Sequence, residues 1–393
     1  MNPKIVINKN ISYKDVDYCY EVLYNCIAKS ITVDFELPSK FESKNIGMEI
    51  IILQLSITWS RSFKDGNLLI NLYNNITSIN NIYDNEILFP IITYAWNRHN
   101  ILDNTGKYDL KGYLRVPNKE IHDKMLKALP LKGQKLLLTS FDHLPKKRGI
   151  LPCFEPNGEY IENEQYLLEN LHKSLYNIIN LSTITKHNYS KVSMPIVNII
   201  YELMKNTYEW AKTDENSIPL DPNIRGLYIQ FIRKDRQQLI QTSTENPGLV
   251  NYFNSSALKE NSIGELYLVE ITVFDSGPGF IKKFESTNDV PNINKLNILK
   301  KCLTKHMTSD QSIYKDVKGL GLDRILRTLN NKGFLRIKTD ELHIYRDLIN
   351  TPYVNTSNSE DIDLFDWTSN EKNEIIQNYY SHGSVLSIIY PLS

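Results

Sequence analysis

Apolar residues recur in the first part of the chain at the spacings of helices and strands. Residues 13–29 and 46–63 place them three and four positions apart, which predicts two amphipathic helices. Short apolar runs at 31–35 and 67–72 predict strands. This alternation indicates a small α/β domain, and no catalytic motif stands out within it.

The second part of the chain shows the same two patterns over longer stretches. Helices are predicted over 164–182 and 193–212, and a third from Gly321 to about Asn330. The predicted strands are 226–233, 266–274, 333–338, 342–345 and 383–390. Helices and antiparallel-type strands in this order predict an α+β sandwich, in which helices cover one face of a sheet.

A connector between the two parts is predicted within 129–163. Its segments LPLKGQ, HLPKKRG and LPCFEPNGE concentrate proline, glycine and charge. A chain of 393 residues is long enough for two domains. We expect an N-terminal α/β domain over 1–150, with a regulatory or partner-binding role, and a second domain over 160–393.

Composition narrows the class of protein. The 45 Lys and Arg residues balance the 45 Asp and Glu residues, which disfavours nucleic acid as the main partner. The four cysteines include no CxxC pair, so a reducing compartment is favoured over a zinc site or a disulfide framework. The N-terminus has no signal-peptide pattern, and the apolar run 47–59 is interrupted and too short to cross a bilayer. We therefore expect a cytoplasmic protein without a membrane span.

The first candidate for chemistry is the helical segment ELMKN. Glu202 and Asn206 are four residues apart and share one helix face. The apolar residues around them make a carboxylate and an amide costly there unless the two side chains meet water, metal or ligand. Both oxygen types suit Mg²⁺ or a positioned water. The alternative is the solvated face of an amphipathic helix.

The second candidate is the strand end VFDSGPGF. Asp275 can accept a hydrogen bond from an exocyclic amine, and Gly277 and Gly279 let a flat ring approach the backbone. The alternative is an ordinary strand-to-loop turn, since Asp, Ser, Gly and Pro all favour turns.

Two weaker motifs follow. In KGLGLD, Gly319 and Gly321 precede a helix whose free N–H groups can bind phosphate, with a flexible helix start as the alternative. This motif is not the dinucleotide fingerprint GxGxxG, because position 324 is arginine. The last strand begins with Gly383 and Ser384, whose hydroxyl can bind adenine through water.

These elements stand in the order ExxxN, DxGxG, GxG and a glycine–hydroxyl strand. In that order, residues 193–393 resemble the GHKL superfamily of ATP-binding domains, named for gyrase, the heat-shock chaperone, histidine kinases and the mismatch-repair ATPase. YELMKNTYEWA resembles its N-box, with Glu202 and Asn206 at the matching positions. DSGPGF resembles its first glycine box, and KGLGL its second.

The resemblance implies a Bergerat fold, a mixed sheet covered by helices with ATP on the helix side. Asp275 would accept from the adenine amino group, and Asn206 would hold Mg²⁺ against the phosphates. Residues about 281–317 would form a mobile lid, in which Lys305 is a candidate partner of the γ-phosphate or else a solvated charge. The other implied ATP-binding residues are Gly277, Gly279, Gly319, Leu320, Gly321, Leu322 and Ser384.

The expected function is ATP hydrolysis or kinase-like phosphotransfer, with Glu202 polarising a water and the lid signalling to a protein partner through the N-terminal domain. One alternative is a nucleotide-gated interaction module with little or no catalysis. Another is a protein kinase of the histidine-kinase or anti-sigma type. Trp210 departs from the histidine that kinases often carry near the end of the N-box, and His122 and His172 are the upstream candidates for a phosphoacceptor. A homodimer remains open.

Overall fold

The chain adopts an α+β fold built on two β-sheets. The computed structural model describes residues 2–42, 45–73, 76–179, 183–287, 294–304, 321–376 and 378–392. Helices and strands alternate in the first part, and helices pack against an antiparallel sheet in the second. The predicted α+β class is confirmed.

A parallel sheet of four strands organises the first part, with its strands side by side in chain order. These are β1 (Lys4–Val6), β2 (Asp34–Pro38), β3 (Leu68–Asn71) and β4 (Ile101–Asp103). The helices are α1 (Tyr13–Ala28), α2 (Met48–Ser62), α3 (Leu88–Ala95) and α4 (Lys111–Leu126), with a 3-10 segment over Ile76–Asp84. Ser12 begins α1 because its hydroxyl accepts from the Asp15 N–H while the Asp15 carboxylate accepts from the Ser12 N–H.

An antiparallel sheet of seven strands organises the second part. Its strands are β5 (Lys135–Ser140), β6 (Arg225–Asp235), β7 (Glu265–Asp275), β8 (Phe334–Asp340), β9 (Leu342–Asp347), β10 (Phe365–Asp366) and β11 (Ser381–Pro391). The order is β10-β9-β8-β11-β7-β6-β5, and every neighbouring pair is antiparallel. The expectation of a mixed sheet is therefore wrong here. The physical reason is that β5–β6–β7 and β8–β9–β10 each run as consecutive antiparallel neighbours, and β11 enters between β7 and β8 antiparallel to both.

Strand β5 lies on the N-terminal side of the predicted domain boundary but belongs to the sheet of the second part. It lies within the first 150 residues, yet it pairs with β6 along its whole length, with Leu137 opposite Tyr228. The seven-stranded sheet therefore draws on residues from both sides of the predicted boundary.

Helices cover one face of the seven-stranded sheet. The helix α7 packs on β6 and β7, and α6 and α12 pack on α7. The helices of the second part are α5 (Lys146–Gly149), α6 (Glu164–Ile179), α7 (Thr183–Trp210), α8 (Arg236–Thr242), α9 (Pro247–Asn254), α10 (Gly279–Thr287), α11 (Lys295–Leu303) and α12 (Gly321–Leu329). Across the described ranges, none of the helices combines the length and the apolar character needed to cross a membrane.

The opposite face of this sheet carries the first part, mainly through α2, which contacts β11 and β7. Strand alternation turns Glu270 and Arg336 to this face. Both approach the start of α2, since a Cβ on Gly47 would lie 2.1 Å from Nη2 of Arg336 and 3.0 Å from Oε1 of Glu270. Residues 50–60 of α2 are consequently buried on all sides, because this helix lies between two sheets.

Charged side chains are buried in this contact. Arg336 donates to the hydroxyl of Tyr13, to the Gly47 carbonyl at 3.1 Å and to the Ser387 hydroxyl at 2.9 Å. Burial, together with the charge of Glu49, raises the pKa of Glu270 to about 7. Polar contacts, and not an apolar seam alone, therefore join the two parts.

Candidate functional site

The strand β7 ends at a buried carboxylate, Asp275. It lies opposite Ser384 of β11 and Arg225 of β6, and it is 8% exposed. The N–H of Gly277 donates to its Oδ1 at 2.8 Å. Burial raises the pKa of Asp275 to about 6, against the opposing effect of the N–H groups of Gly277 and Ser384. The group is therefore an acceptor that is ionised at neutral pH.

The loop after Asp275 lies very close to the end of α7. A Cβ on Gly277 would be 2.7 Å from Cα of Ala211, so this position accepts no side chain without movement of the helix or loop. Gly279 has φ +79°, and a Cβ there would be 2.7 Å from the Thr339 hydroxyl. Packing within the protein thus requires both glycines, and they also keep side chains away from Asp275.

Side-chain hydrogen bonds fix this loop in place. The Ser276 hydroxyl donates to Oδ1 of Asn223 at 2.6 Å and accepts from the Ile224 N–H at 3.0 Å. Nδ2 of Asn223 in turn donates to the Ala211 carbonyl at 3.0 Å. These hydrogen bonds join the glycine loop to the residues before β6 and to the residue after α7. They therefore keep Asp275 in one position.

Ser384 lies beside Asp275 at the start of β11. Its hydroxyl is 3.1 Å from the hydroxyl of Thr339 on β8, and Ser384 is 2% exposed. Thr339 also donates to the Gly383 carbonyl at 3.4 Å. Two hydroxyls and one carboxylate are therefore collected at one end of the sheet.

Glu202 meets the start of α12. A Cβ on Gly321 would lie 2.7 Å from Oε2 of Glu202, so the carboxylate touches the backbone of the second glycine motif. Its Oε1 accepts from Nη1 of Arg324 at 3.0 Å, and the same nitrogen donates to Glu164 on α6. The structure thus brings together the predicted residues Glu202 and Gly321, with Arg324 tied to the same carboxylate.

Asn206 lies on α7 between these two groups of residues, one turn beyond Glu202 and five residues before Ala211. It is partly buried, and none of the described residues hydrogen-bonds to its side chain. Among the described residues, its amide oxygen therefore has no competing partner, which is compatible with a metal-binding role.

The first part of the chain also reaches this end of the sheet. The positive charge of Arg61, at the end of α2, lies near enough to lower the pKa of Asp275. Nη1 of Arg61 donates to Nδ1 of His382 at 3.4 Å, two residues before Ser384. A change in the charge of Asp275 can therefore alter the interactions of Arg61 at the end of α2.

Several predicted residues fall elsewhere. Lys305, Gly319 and Leu320 lie outside the described residues. Leu322 is buried in the core, where it packs with other apolar residues. Of the predicted lid, 281–287 and 294–304 are described; they contain α10 and α11, in which Ile281 and Leu299 are buried.

Sequence reasoning missed Thr339, Arg324 and Arg61. Thr339 occupies an ordinary strand position, and the sequence gives no sign that β8 lies beside β11. Arg324 reaches a glutamate 122 positions away, and Arg61 reaches a histidine 321 positions away. Contacts of that separation leave no local pattern.

Asp275→Asn should stabilise the ligand-free protein at pH 7. The folded-state pKa of Asp275 is raised from 3.8 to about 6, so ionisation costs stability above pH 6 and costs nothing below pH 4. Removing the charge should gain about 3 kcal/mol at pH 7, since one pKa unit corresponds to about 1.4 kcal/mol. Urea unfolding at pH 7 and pH 4 measures this, and an equal difference between the two proteins at both pH values would contradict it.

Comparison with protein-family models, with curated proteins and with solved structures finds no match for this chain. The functional argument therefore rests on the geometry of the site. Among the described residues, no three His, Cys, Asp or Glu side chains are grouped to hold a metal ion. The metal ligand predicted from the sequence is of another kind, the amide of Asn206.

Proposed function

We propose that the chain is a Mg²⁺-dependent ATP-binding protein that hydrolyses ATP or transfers its terminal phosphoryl group. We also propose that its second part is a Bergerat-type sandwich of the GHKL class, with nucleotide on the helix side of the sheet. One observation carries the proposal: Glu202 of α7 lies against Gly321, and Ala211, the residue that follows α7, lies against Gly277, two residues after Asp275. Residues of three motifs that are far apart in sequence thus meet along α7 and at its end.

Each residue has a role that its surroundings support. Asp275 accepts from the adenine amino group, which suits a buried carboxylate held by two N–H donors. Asn206 has an amide without a partner among the described residues, and this amide would bind Mg²⁺, which would supply positive charge against the phosphates. Glu202 orients or deprotonates the attacking water.

The proposal includes a signal from the nucleotide to the first part of the chain. α2 packs on β11 and β7, the strands that carry Ser384 and Asp275. The charge of Arg61 on α2 lowers the pKa of Asp275, and Arg61 also contacts His382. Nucleotide binding at Asp275 therefore acts on a helix of the N-terminal part, where a protein partner would bind.

A second candidate function is a nucleotide-gated interaction module with little catalysis. The observation that favours it is the ion pair of Glu202 with Arg324, which occupies the carboxylate expected to act on water. A kinase of the histidine-kinase or anti-sigma type is a third candidate. For it, His172 on α6 is exposed and lies 3.1 Å from the Tyr189 hydroxyl, whereas Nε2 of His122 on α4 is hydrogen-bonded to the Arg148 carbonyl.

Incubation with γ-labelled ATP and Mg²⁺ separates these candidates. Released phosphate indicates hydrolysis, labelled protein indicates phosphotransfer, and ATP binding by calorimetry without either supports the interaction module. Absence of ATP binding, with the protein folded, would refute the proposal in all three forms.

A further inference from the structure

A group of cations lies where the first part of the chain meets β11 and α10. Arg61 at the end of α2 donates Nε to the Tyr94 hydroxyl at 3.0 Å and Nη1 to Nδ1 of His382 at 3.4 Å. Lys282 of α10 lies 4.2 Å above the ring of Tyr380, whose ring packs edge-on against His382. We call Arg61, Lys282, Arg98 and His382 the junction cluster.

The junction cluster has an excess of positive charge. Arg61, Lys282 and Arg98 all lie near enough to His382 to lower its pKa, which falls to about 3 because of burial and these three charges. None of the three forms an ion pair with a carboxylate among the described residues. Asp340, which also acts on Tyr380, is already paired with Lys295.

One donor in the cluster is both buried and unused. Nη2 of Arg61 is shielded from solvent and has no hydrogen-bond partner among the described residues. A buried guanidinium donor without a partner costs free energy, so such an atom in a folded protein points to a ligand or ion. The chain as a whole is neutral, which makes a local cluster of three cations more informative.

We propose that the junction cluster binds a phosphoryl group, either free phosphate or the phosphate of a small molecule. Such a group carries about −1.5 to −2 charge at neutral pH and three acceptor oxygens. Asp275, whose pKa is lowered by the charge of Arg61, offers a single negative charge, too little for three cations. The planar fork of Arg61 and the flexible ammonium of Lys282 are suited to two different oxygens of one tetrahedral anion.

This site is distinct from the part of the proposed ATP site that lies on α7, although the charge of Arg61 also reaches Asp275. His382 and Arg61 lie on the side of β11 that faces α2, because the His382 N–H donates to the Thr58 hydroxyl of that helix at 3.1 Å. Glu202 and Asn206 lie on α7, which packs on the other face of the sheet. A phosphate here would tie α2, α10 and β11 together, and so would act on the contact between the two parts.

The experiment follows the imidazole of His382 by NMR with ¹⁵N-labelled histidine, its signal assigned from the His382→Asn variant. Inorganic phosphate and pyrophosphate are titrated separately into the full chain. We expect the His382 signal to move in a saturable way and its pKa to rise by about one unit or more, because the anion offsets the surrounding cations. Arg61→Gln and Lys282→Gln should each weaken binding about tenfold or more.

Lys283→Gln is the matched control. It removes the same charge from the same helix, but Lys283 lies over the ring of Trp210 and not beside Tyr380. It should change binding less than about twofold. Thermal unfolding of each variant checks that it is folded.

Two results would overturn the proposal. One is a His382 signal that neither anion moves at about 10 mM, far above the concentration at which a built phosphate site fills. The other is equal weakening by Lys283→Gln, which would indicate general attraction by charge. Repeating the titration in Asn206→Ala without Mg²⁺ removes the metal-dependent contribution of the proposed ATP site, so failure of that function leaves the outcome at His382 unchanged.

Discussion

Glu202→Ala should lower ATP turnover by about 10²–10⁴ while ATP affinity stays within a few-fold. In the proposed function the carboxylate orients or deprotonates the attacking water, and among the described residues its hydrogen-bond partner is Arg324 rather than a residue around Asp275. The fold should tolerate the change, because Arg324 keeps its ion pair with Glu164 and alanine is the best helix former. Released phosphate, measured at saturating ATP with Mg²⁺, gives the rate, and calorimetry gives the affinity.

Glu164→Gln is the matched control for this prediction. Glu164 shares Arg324 with Glu202 but lies on α6, away from Gly321, so its loss should leave turnover within a few-fold. Asn206→Ala should behave differently again, losing Mg²⁺-dependent affinity as well as rate. An active Glu202→Ala protein would make Glu202 a solvated helix residue. Equal losses in the Glu202 and Glu164 variants would instead indicate a structural role for the ion pairs.

Asp275→Asn should weaken ATP binding about 10- to 150-fold, because a hydrogen bond to a charged group is lost and the new amide can present an NH₂ to the adenine amine. GTP should bind poorly to the wild-type protein, since its 6-oxo group would face the carboxylate. Calorimetry with both nucleotides tests this. Equal affinities for ATP and GTP would count against Asp275 as the base-binding residue.

The pH dependence gives this second prediction an internal control. Because the pKa of Asp275 is about 6, wild-type affinity should fall as pH drops below 6, where the acceptor becomes protonated. The asparagine variant lacks that ionisation, so its affinity should change only through the titration of ATP itself. The ratio of the two affinities should therefore shrink between pH 7 and pH 5. A constant ratio would mean that Asp275 does not bind ligand in its ionised form.

Periodic stretches were the part of the fold most readily predicted from sequence. The helix predicted at 13–29 is α1, Tyr13–Ala28, and the strands predicted at 226–233 and 266–274 are the central parts of β6 and β7. Such elements carry their own hydrophobic pattern. The strand expected at 31–35 lies three residues later, at Asp34–Pro38, since its position depends on parallel pairing with β1 and β3.

The candidate site was only partly predictable for the same reason. Glu202, Asn206 and Asp275 stood out because they interrupt apolar elements or end them next to glycine. Arg324 and Thr339 did not, because each is an ordinary residue of its own helix or strand. Only contact with Glu202 and with Ser384 gives these two residues a place in the site.

The sequence by itself determined helices α1, α2, α6, α7 and α12, most strands and the order of the acidic and glycine motifs, because these depend on side-chain spacing along a few turns or residues. Tertiary structure decided what those elements face. It inserted β11 between β7 and β8, brought β5 into the second sheet, and buried α2 between two sheets. It also placed Arg61 beside His382. These choices depend on pairing and packing between residues hundreds of positions apart, where the gain comes from burial and hydrogen bonding in the assembled protein and leaves no trace in local sequence.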